Sequence, residues 1–160
     1  MDLDGKLFCS LFEADMGYYN TNLKYAQDLI LGDKVSAYCY YRMFAYNKCL
    51  IEAPELPATS LAESCYEYMF ISCENLEIAP ILPAGTLAAS CYKYMFGSCK
   101  KLNNVIMLAT DISATEALFG WMEWGAGNQA SNPTIYTDAN VTLTVGTHYP
   151  DNWSVNVYAN

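Results

Sequence analysis

The stretch from Ala53 to Ile78 reads APELPATSLAESCYEYMFISCENLEI, and the next 26 residues, Ala79 to Asn104, read APILPAGTLAASCYKYMFGSCKKLNN. The two segments are identical at 16 of 26 positions. A third copy precedes them, because five of their residues recur 26 positions upstream, as Cys39, Tyr40, Met43, Phe44 and Leu50. A repeat of this length is typical of supersecondary units that stack and bury their apolar faces on one another.

Each repeat predicts a short strand, a proline corner, a helical turn and a return loop. The strand segments are residues 50–53, 76–79 and 102–105, and the prolines that follow end them because proline has no N–H to donate to a sheet. The apolar residues of the stretch 86–96 are Leu87, Cys91, Met95 and Phe96. Their spacing of i, i+4, i+8 and i+9 predicts a short helix or helical turn with one buried stripe.

Both ends of the chain depart from the repeat. Near the N-terminus, Leu11 and Phe12 can take the place of Met43 and Phe44, and residues 16–20 read as an inserted loop. No cap precedes this first coil, so we expect missing upstream sequence, another subunit of an oligomer or a virion partner to cover it. We predict a domain of repeats over residues 1–109, with a degenerate first coil and three clear copies.

The C-terminal part, residues 110–160, is predicted to be a small cap. A helix is expected through Ala114, Leu118, Trp121 and Met122, after a capping region at 110–111. A Gly/Asn/Ser/Pro-rich link over 125–133 then leads to three β-like runs, residues 134–137, 141–145 and 153–158. A non-repeating end of this kind would cover the last coil and its open core.

The repeat unit L-P-A-x-x-L-A-x-x-C-Y-x-x-M-F-x-x-C-x-x-L-x-x-A-P resembles the BspA-like leucine-rich repeats of gut bacterial surface proteins, which also occur in phage-encoded proteins. The segments 107–114 and 149–155 are similar to those that close such arrays. One departure is that Asn47, and not Cys49, stands in register with Cys73. The resemblance implies an α/β fold, a right-handed leucine-rich-repeat-like solenoid used for adhesion or protein recognition, and it supplies no catalytic residues.

Charge and hydropathy exclude several partner classes. The net charge is −9, from 8 basic and 17 acidic residues. Without a basic cluster to offset it, we expect no nucleic-acid partner, because phosphates would be repelled. The sequence contains no run of eighteen apolar residues, which a membrane-spanning helix would need, so no membrane insertion is expected. The first fifteen residues have acids where a signal peptide needs basic residues.

Metal and catalytic chemistry find little support in the sequence. The cysteines follow the repeat, with Cys39, Cys65 and Cys91 in one column and Cys73 and Cys99 in another. They are interpreted as reduced, buried thiols, with some disulfides as the alternative, and no cofactor or metal is expected. His148 is the only histidine and has no nucleophile at a recognisable spacing, so it is interpreted as a polar loop residue and the protein as not an enzyme.

The recurring tyrosines are the candidate binding residues. They are Tyr40, Tyr41, Tyr66, Tyr68, Tyr92 and Tyr94. Tyrosine presents a large rigid surface with a polar tip, which suits recognition of proteins or sugars. Two interpretations stay open: a binding stripe on the surface, or an internal ladder between coils.

The sequence therefore predicts a non-enzymatic recognition or adhesion module at a bacterial cell surface that binds a protein or glycan through an aromatic face. It would be extracellular as part of a longer exported chain. The alternative is a structural component of a phage particle (tail, fibre or head attachment) that assembles through the first coil and is located in the virion.

Overall fold

The computed structural model describes residues 10–13 and 23–159. Within these ranges the chain forms three strands, β1 (Asn104–Met107), β2 (Thr134–Thr137) and β3 (Ser154–Val157), and no helix. The strands make one parallel sheet in the order β1-β2-β3, and turns and loops form the remainder. The predicted α/β leucine-rich-repeat-like solenoid with helical turns is therefore wrong, and so is the predicted helix around Leu118.

Turn ribbons occupy the places where helical turns were expected. These segments, residues 36–47, 62–73, 88–99 and 114–124, recur every 26 residues. Within a ribbon, every second N–H donates to the carbonyl three residues back, as from Met69 to Tyr66 at 3.2 Å. The intervening N–H groups of the first three ribbons donate to the next ribbon, as from Phe70 to Met95 at 3.0 Å. Backbone polar groups are thus satisfied half locally and half between ribbons.

The helix prediction failed because a turn ribbon has nearly the same period as a helix. The left-handed region recurs at every fourth residue, with φ of 52° at Ser64, 58° at Tyr68 and 59° at Ser72. Residues i and i+4 therefore share a face, as they do in a helix of 3.6 residues per turn. Each left-handed residue costs roughly 1–2 kcal/mol, and the hydrogen bonds between ribbons and the packing beneath them offset this cost.

A ladder of phenylalanine rings forms the centre of the core. Phe12, Phe44, Phe70 and Phe96 stack with ring centroids 5.4, 5.5 and 5.8 Å apart, and Trp121 continues the ladder at 6.4 Å. The stack of Phe12 on Phe44 confirms that Phe12 takes the place of Phe44, but Leu11 is 54% exposed and does not fill the buried place of Met43. The loop predicted at residues 16–20 lies outside the described residues.

The second cysteine column ties each ribbon to the one before it. The thiol of Cys73 donates to the Phe44 carbonyl at 3.2 Å, and that of Cys99 to the Phe70 carbonyl at 3.1 Å. The side-chain amide of Asn47 donates to the Phe12 carbonyl in the same way, and also to the Phe44 carbonyl of its own ribbon. The register of Asn47 with Cys73 read from the sequence is therefore confirmed.

The described cysteines agree with the interpretation as buried thiols. Six are described and all are free, and only Cys49 is not fully buried. Burial raises the pKa of Cys65 and of Cys91 to about 12. These thiols therefore stay protonated at physiological pH and pack as small apolar side chains.

The C-terminal part starts with a fourth turn ribbon and ends with the sheet. β2 coincides with the predicted run 134–137, and β3 lies within the run 153–158. The run 141–145 is not a strand and contributes only an isolated bridge from Val145 to Tyr149. The strands predicted at 50–53 and 76–79 are reduced to isolated bridges at Glu52 and Ile78. The third, predicted at 102–105, overlaps β1 only at residues 104–105.

Glu74 forms a charge ladder with two lysines, and its removal should give a pH-dependent loss of stability. Its carboxylate lies 2.8 Å from Lys48 Nζ and 2.7 Å from Lys100 Nζ. Hydrogen bonds from Lys100 and Lys48 lower the pKa of Glu74 below its usual 4.5. We expect Glu74→Gln to destabilise by about 1 kcal/mol or less at neutral pH, as partly exposed pairs do, measured by urea unfolding.

The sign of this pH dependence follows from the lowered pKa. The ion pairs stabilise the fold above the unfolded-state pKa of Glu74, and this stabilisation is lost as the pH falls through the lower folded-state pKa. The difference between Glu74→Gln and the unmodified protein should therefore vanish by about pH 2. A difference that is equal at neutral and acid pH would contradict the assignment.

Candidate functional site

The turn ribbon divides the six candidate tyrosines into an inner and an outer set. Tyr40, Tyr66 and Tyr92 are buried and stack with ring centroids 5.6 and 6.1 Å apart. Burial raises the pKa of Tyr66 and of Tyr92, and the Tyr40 hydroxyl accepts a hydrogen bond from the Gly32 N–H at 3.1 Å. These three tyrosines form the internal ladder, so they are core residues without access to a ligand.

The outer set belongs to a continuous surface that we name the aromatic strip. Its members are Tyr41, Tyr68, Tyr94, Phe119 and Trp124. Tyr68 and Tyr94 stack at 5.0 Å, and Tyr94 and Trp124 at 4.8 Å. Tyr41 meets Tyr68 edge-on at 5.8 Å, and Phe119 meets Tyr94 in the same way at 5.4 Å. The strip therefore crosses all four turn ribbons along their outer face.

Two glycines allow the rings of the strip to lie against the backbone. A Cβ at Gly120, whose φ is +60°, would lie 2.2 Å from a ring carbon of Tyr94. A Cβ at Gly97 would lie 2.9 Å from Cε3 of Trp124. A side chain at either position would collide with these rings, so the two glycines leave the space that the stack of Tyr94 and Trp124 occupies.

Charged groups beside the strip pair with one another. Lys93 Nζ lies 2.6 Å from the carboxylate of Glu116 and 5.5 Å from the ring centroid of Phe119. Arg42 lies 2.5 Å from the carboxylate of Glu13. These two basic groups are therefore already partnered, whereas Glu123, next to Trp124, makes no ion pair within the described residues.

At its C-terminal end the strip opens into a cavity of about 250 Å³, which we name the end pocket. Glu123, Trp124, His148 and Tyr149 line it, together with glycines of the fourth turn ribbon and the loop before Tyr149. His148 Nδ1 accepts a hydrogen bond from the Thr144 N–H at 2.9 Å, and burial lowers the pKa of His148. The imidazole is therefore neutral at neutral pH.

The structure places His148 in a loop of the C-terminal part, as the sequence indicates, and adds that it faces the end pocket. Among the residues that the structure describes, no three His, Cys, Asp or Glu side chains could hold a metal ion. No helix in the same ranges is long and apolar enough to cross a membrane.

Sequence reasoning missed Phe119, Glu123 and Trp124 because all three fall in residues 110–160, which were interpreted as a non-repeating cap. The repeat register could have found them, since Gly120 lies 26 residues after Tyr94 and Trp124 lies 26 after Ser98. The signal was weak because the fourth copy keeps the apolar positions of the repeat but few of its residue types. No family model matches the chain, and no curated protein or solved structure gives a significant match. The likeness to BspA-like repeats therefore stays a prediction.

Proposed function

We propose that the protein is a non-enzymatic recognition module that binds a protein or glycan ligand through the aromatic strip. The observation that carries this proposal is the exposure of large rings that the core does not need: Phe119 is 48% and Trp124 55% exposed. The rings touch one another across four ribbons, so their positions are fixed before a ligand arrives. A preorganised aromatic surface loses little side-chain entropy on binding.

A cell-surface location and an adhesive role belong to the same proposal. Adhesion requires a ligand surface that is carried on a rigid stack, and the aromatic strip meets this requirement because each ring sits on a hydrogen-bonded ribbon. The acidic net charge of −9 favours neutral or basic ligand surfaces over anionic ones.

The test is a binding screen. It compares the ligand affinity of a variant in the aromatic strip with that of a variant at a similarly exposed aromatic residue outside the strip. The protein is screened on an array of neutral and charged oligosaccharides and on a panel of purified host and bacterial surface proteins. For any probe that binds, Tyr68→Ser should weaken affinity at least about tenfold, which is 1.4 kcal/mol. Serine is suitable because Ser64 and Ser72 adopt the same left-handed backbone in this ribbon.

Tyr25→Ser is the control, because Tyr25 is 55% exposed and lies outside the strip. It should change affinity less than about twofold. Equal losses in Tyr68→Ser and Tyr25→Ser, or no binding to any probe of either class, would overturn the proposal.

A further inference from the structure

The end pocket combines an open aromatic face with polar groups, and it shares Trp124 with the aromatic strip. Tyr94 covers one face of Trp124 in a stack with an interplanar angle of 9°. Trp124 nevertheless remains 55% exposed and lines the pocket, so part of its surface is available to a ligand. A flat, apolar ring that is held by a second ring is a platform for another flat, partly apolar group.

Hydrogen-bonding groups stand beside this platform. Glu123 lines the pocket and makes no ion pair within the described residues. A free carboxylate is an acceptor only, so it suits a ligand that brings several donors. His148 uses Nδ1 internally, which leaves Nε2 as the ring nitrogen with a hydrogen to donate.

The volume of the end pocket and the charges around it narrow the choice of ligand. A volume of about 250 Å³ is below the range of drug-sized pockets and accommodates a single ring of sugar size. A free carboxylate, a neutral imidazole and a net charge of −9 disfavour an anionic ligand. The remaining requirements are an apolar face, several hydroxyl donors and no negative charge.

We infer that the end pocket binds one neutral pyranose unit of a glycan, stacked on Trp124 with its hydroxyls donating to Glu123, while the neighbouring units of the glycan follow the aromatic strip. This inference rests on the proposed function and selects glycan from the two ligand classes. A pyranose presents a face of C–H groups to the indole and a ring of O–H groups to the carboxylate, which meets each requirement of the pocket.

The experiment titrates the full chain with neutral sugars (glucose, galactose, N-acetylglucosamine, cellobiose and maltose) and follows tryptophan fluorescence and saturation-transfer NMR. Sialyllactose and choline chloride serve as an anionic and a cationic probe. Trp121 and Trp153 are 0% and 5% exposed, so Trp124 is the described tryptophan that a ligand can contact directly. Because the Trp121 indole donates to the His148 carbonyl, a fluorescence change is assigned to Trp124 only if it is absent in Trp124→Ala. At least one neutral sugar should bind saturably, and a disaccharide of the same unit should bind more tightly.

Two variants test the assignment independently. Trp124→Ala should abolish sugar binding, and Glu123→Gln, an exposed and isosteric change, should weaken it at least about fivefold. Tyr25→Ser should bind as the unmodified protein does, and the melting temperatures of all variants are measured to show that they are folded. Saturable binding of choline or sialyllactose in preference to the neutral sugars would overturn the inference, as would sugar binding that survives both pocket variants.

The outcomes also separate this inference from the proposed function. Suppose that a ligand from the screen no longer binds Tyr68→Ser but binds Trp124→Ala normally, and that no sugar binds. The sugar pocket is then wrong, and the proposed binding through the aromatic strip stands. If sugar binding is lost with Trp124→Ala but no ligand depends on Tyr68, then the pocket stands and the strip is wrong. Absence of both kinds of binding overturns both.

Discussion

Phe70→Ala should lower the free energy of unfolding by about 3–5 kcal/mol, the usual cost of removing a fully buried phenylalanine. Phe70 is 0% exposed and stacks between Phe44 at 5.5 Å and Phe96 at 5.8 Å. Neither neighbouring ring can move into the space, because each is also held by its own ribbon. Urea unfolding followed by circular dichroism and tryptophan fluorescence measures the change.

Phe119→Ala is the matched control, since Phe119 is 48% exposed and contacts Tyr94 only at its edge. Its cost should stay below about 1 kcal/mol. If Phe70→Ala also costs less than about 1 kcal/mol, the ring ladder is not the centre of the core.

Gly120→Ala should be the second most damaging change, because it combines backbone strain with a collision. At a φ of +60°, an alanine costs roughly 1–2 kcal/mol in backbone energy alone. The added Cβ would also meet the ring of Tyr94 at 2.2 Å and the carboxyl carbon of Glu123 at 3.2 Å. Tyr94 must then leave its stack on Trp124, so we expect a total cost above about 2 kcal/mol and weaker binding at the end pocket.

Variants at two other glycines separate the cost of backbone strain from the cost of the collision. Gly146 has a φ of +76° and open space around its Cβ, so Gly146→Ala reports the backbone strain alone. Gly85 has neither a left-handed φ nor a close neighbour, so Gly85→Ala should be nearly neutral. Thermal and urea unfolding of the three variants should rank them Gly120, Gly146, Gly85. A Gly120→Ala variant that is no less stable than Gly146→Ala would contradict the packing described for Tyr94.

The long-range order of the fold could be predicted from the sequence, because the 26-residue period fixes which residues meet between coils. The column that contains Phe44, Phe70 and Phe96 follows from that period alone, and so does the equivalence of Asn47 and Cys73. The local conformation could not be predicted in the same way. Apolar residues at i, i+4 and i+8 are compatible with both a helix and a turn ribbon of four-residue period. A helix is the more common structure for that spacing.

Half of the predicted binding tyrosines are buried, because residues that are adjacent in sequence share one side of a turn ribbon. Adjacent residues such as Met69 and Phe70 are buried together, whereas the pair before them, Glu67 and Tyr68, is only partly buried. Tyr66 and Tyr68, only two positions apart, therefore fall on opposite sides. The end pocket was beyond prediction, because its walls come from the fourth ribbon and from a loop near residue 148 that no repeat pattern links to it.

Backbone dihedral angles from NMR chemical shifts of the isotope-labelled full chain would test the turn ribbons directly. The inner and outer assignment of the tyrosines, and therefore the aromatic strip itself, depends on the turn ribbons. The turn ribbons require positive φ at Ser64, Tyr68 and Ser72 and no helical run anywhere in residues 62–73 or 88–99. Unbroken right-handed helical angles across either segment would contradict this requirement.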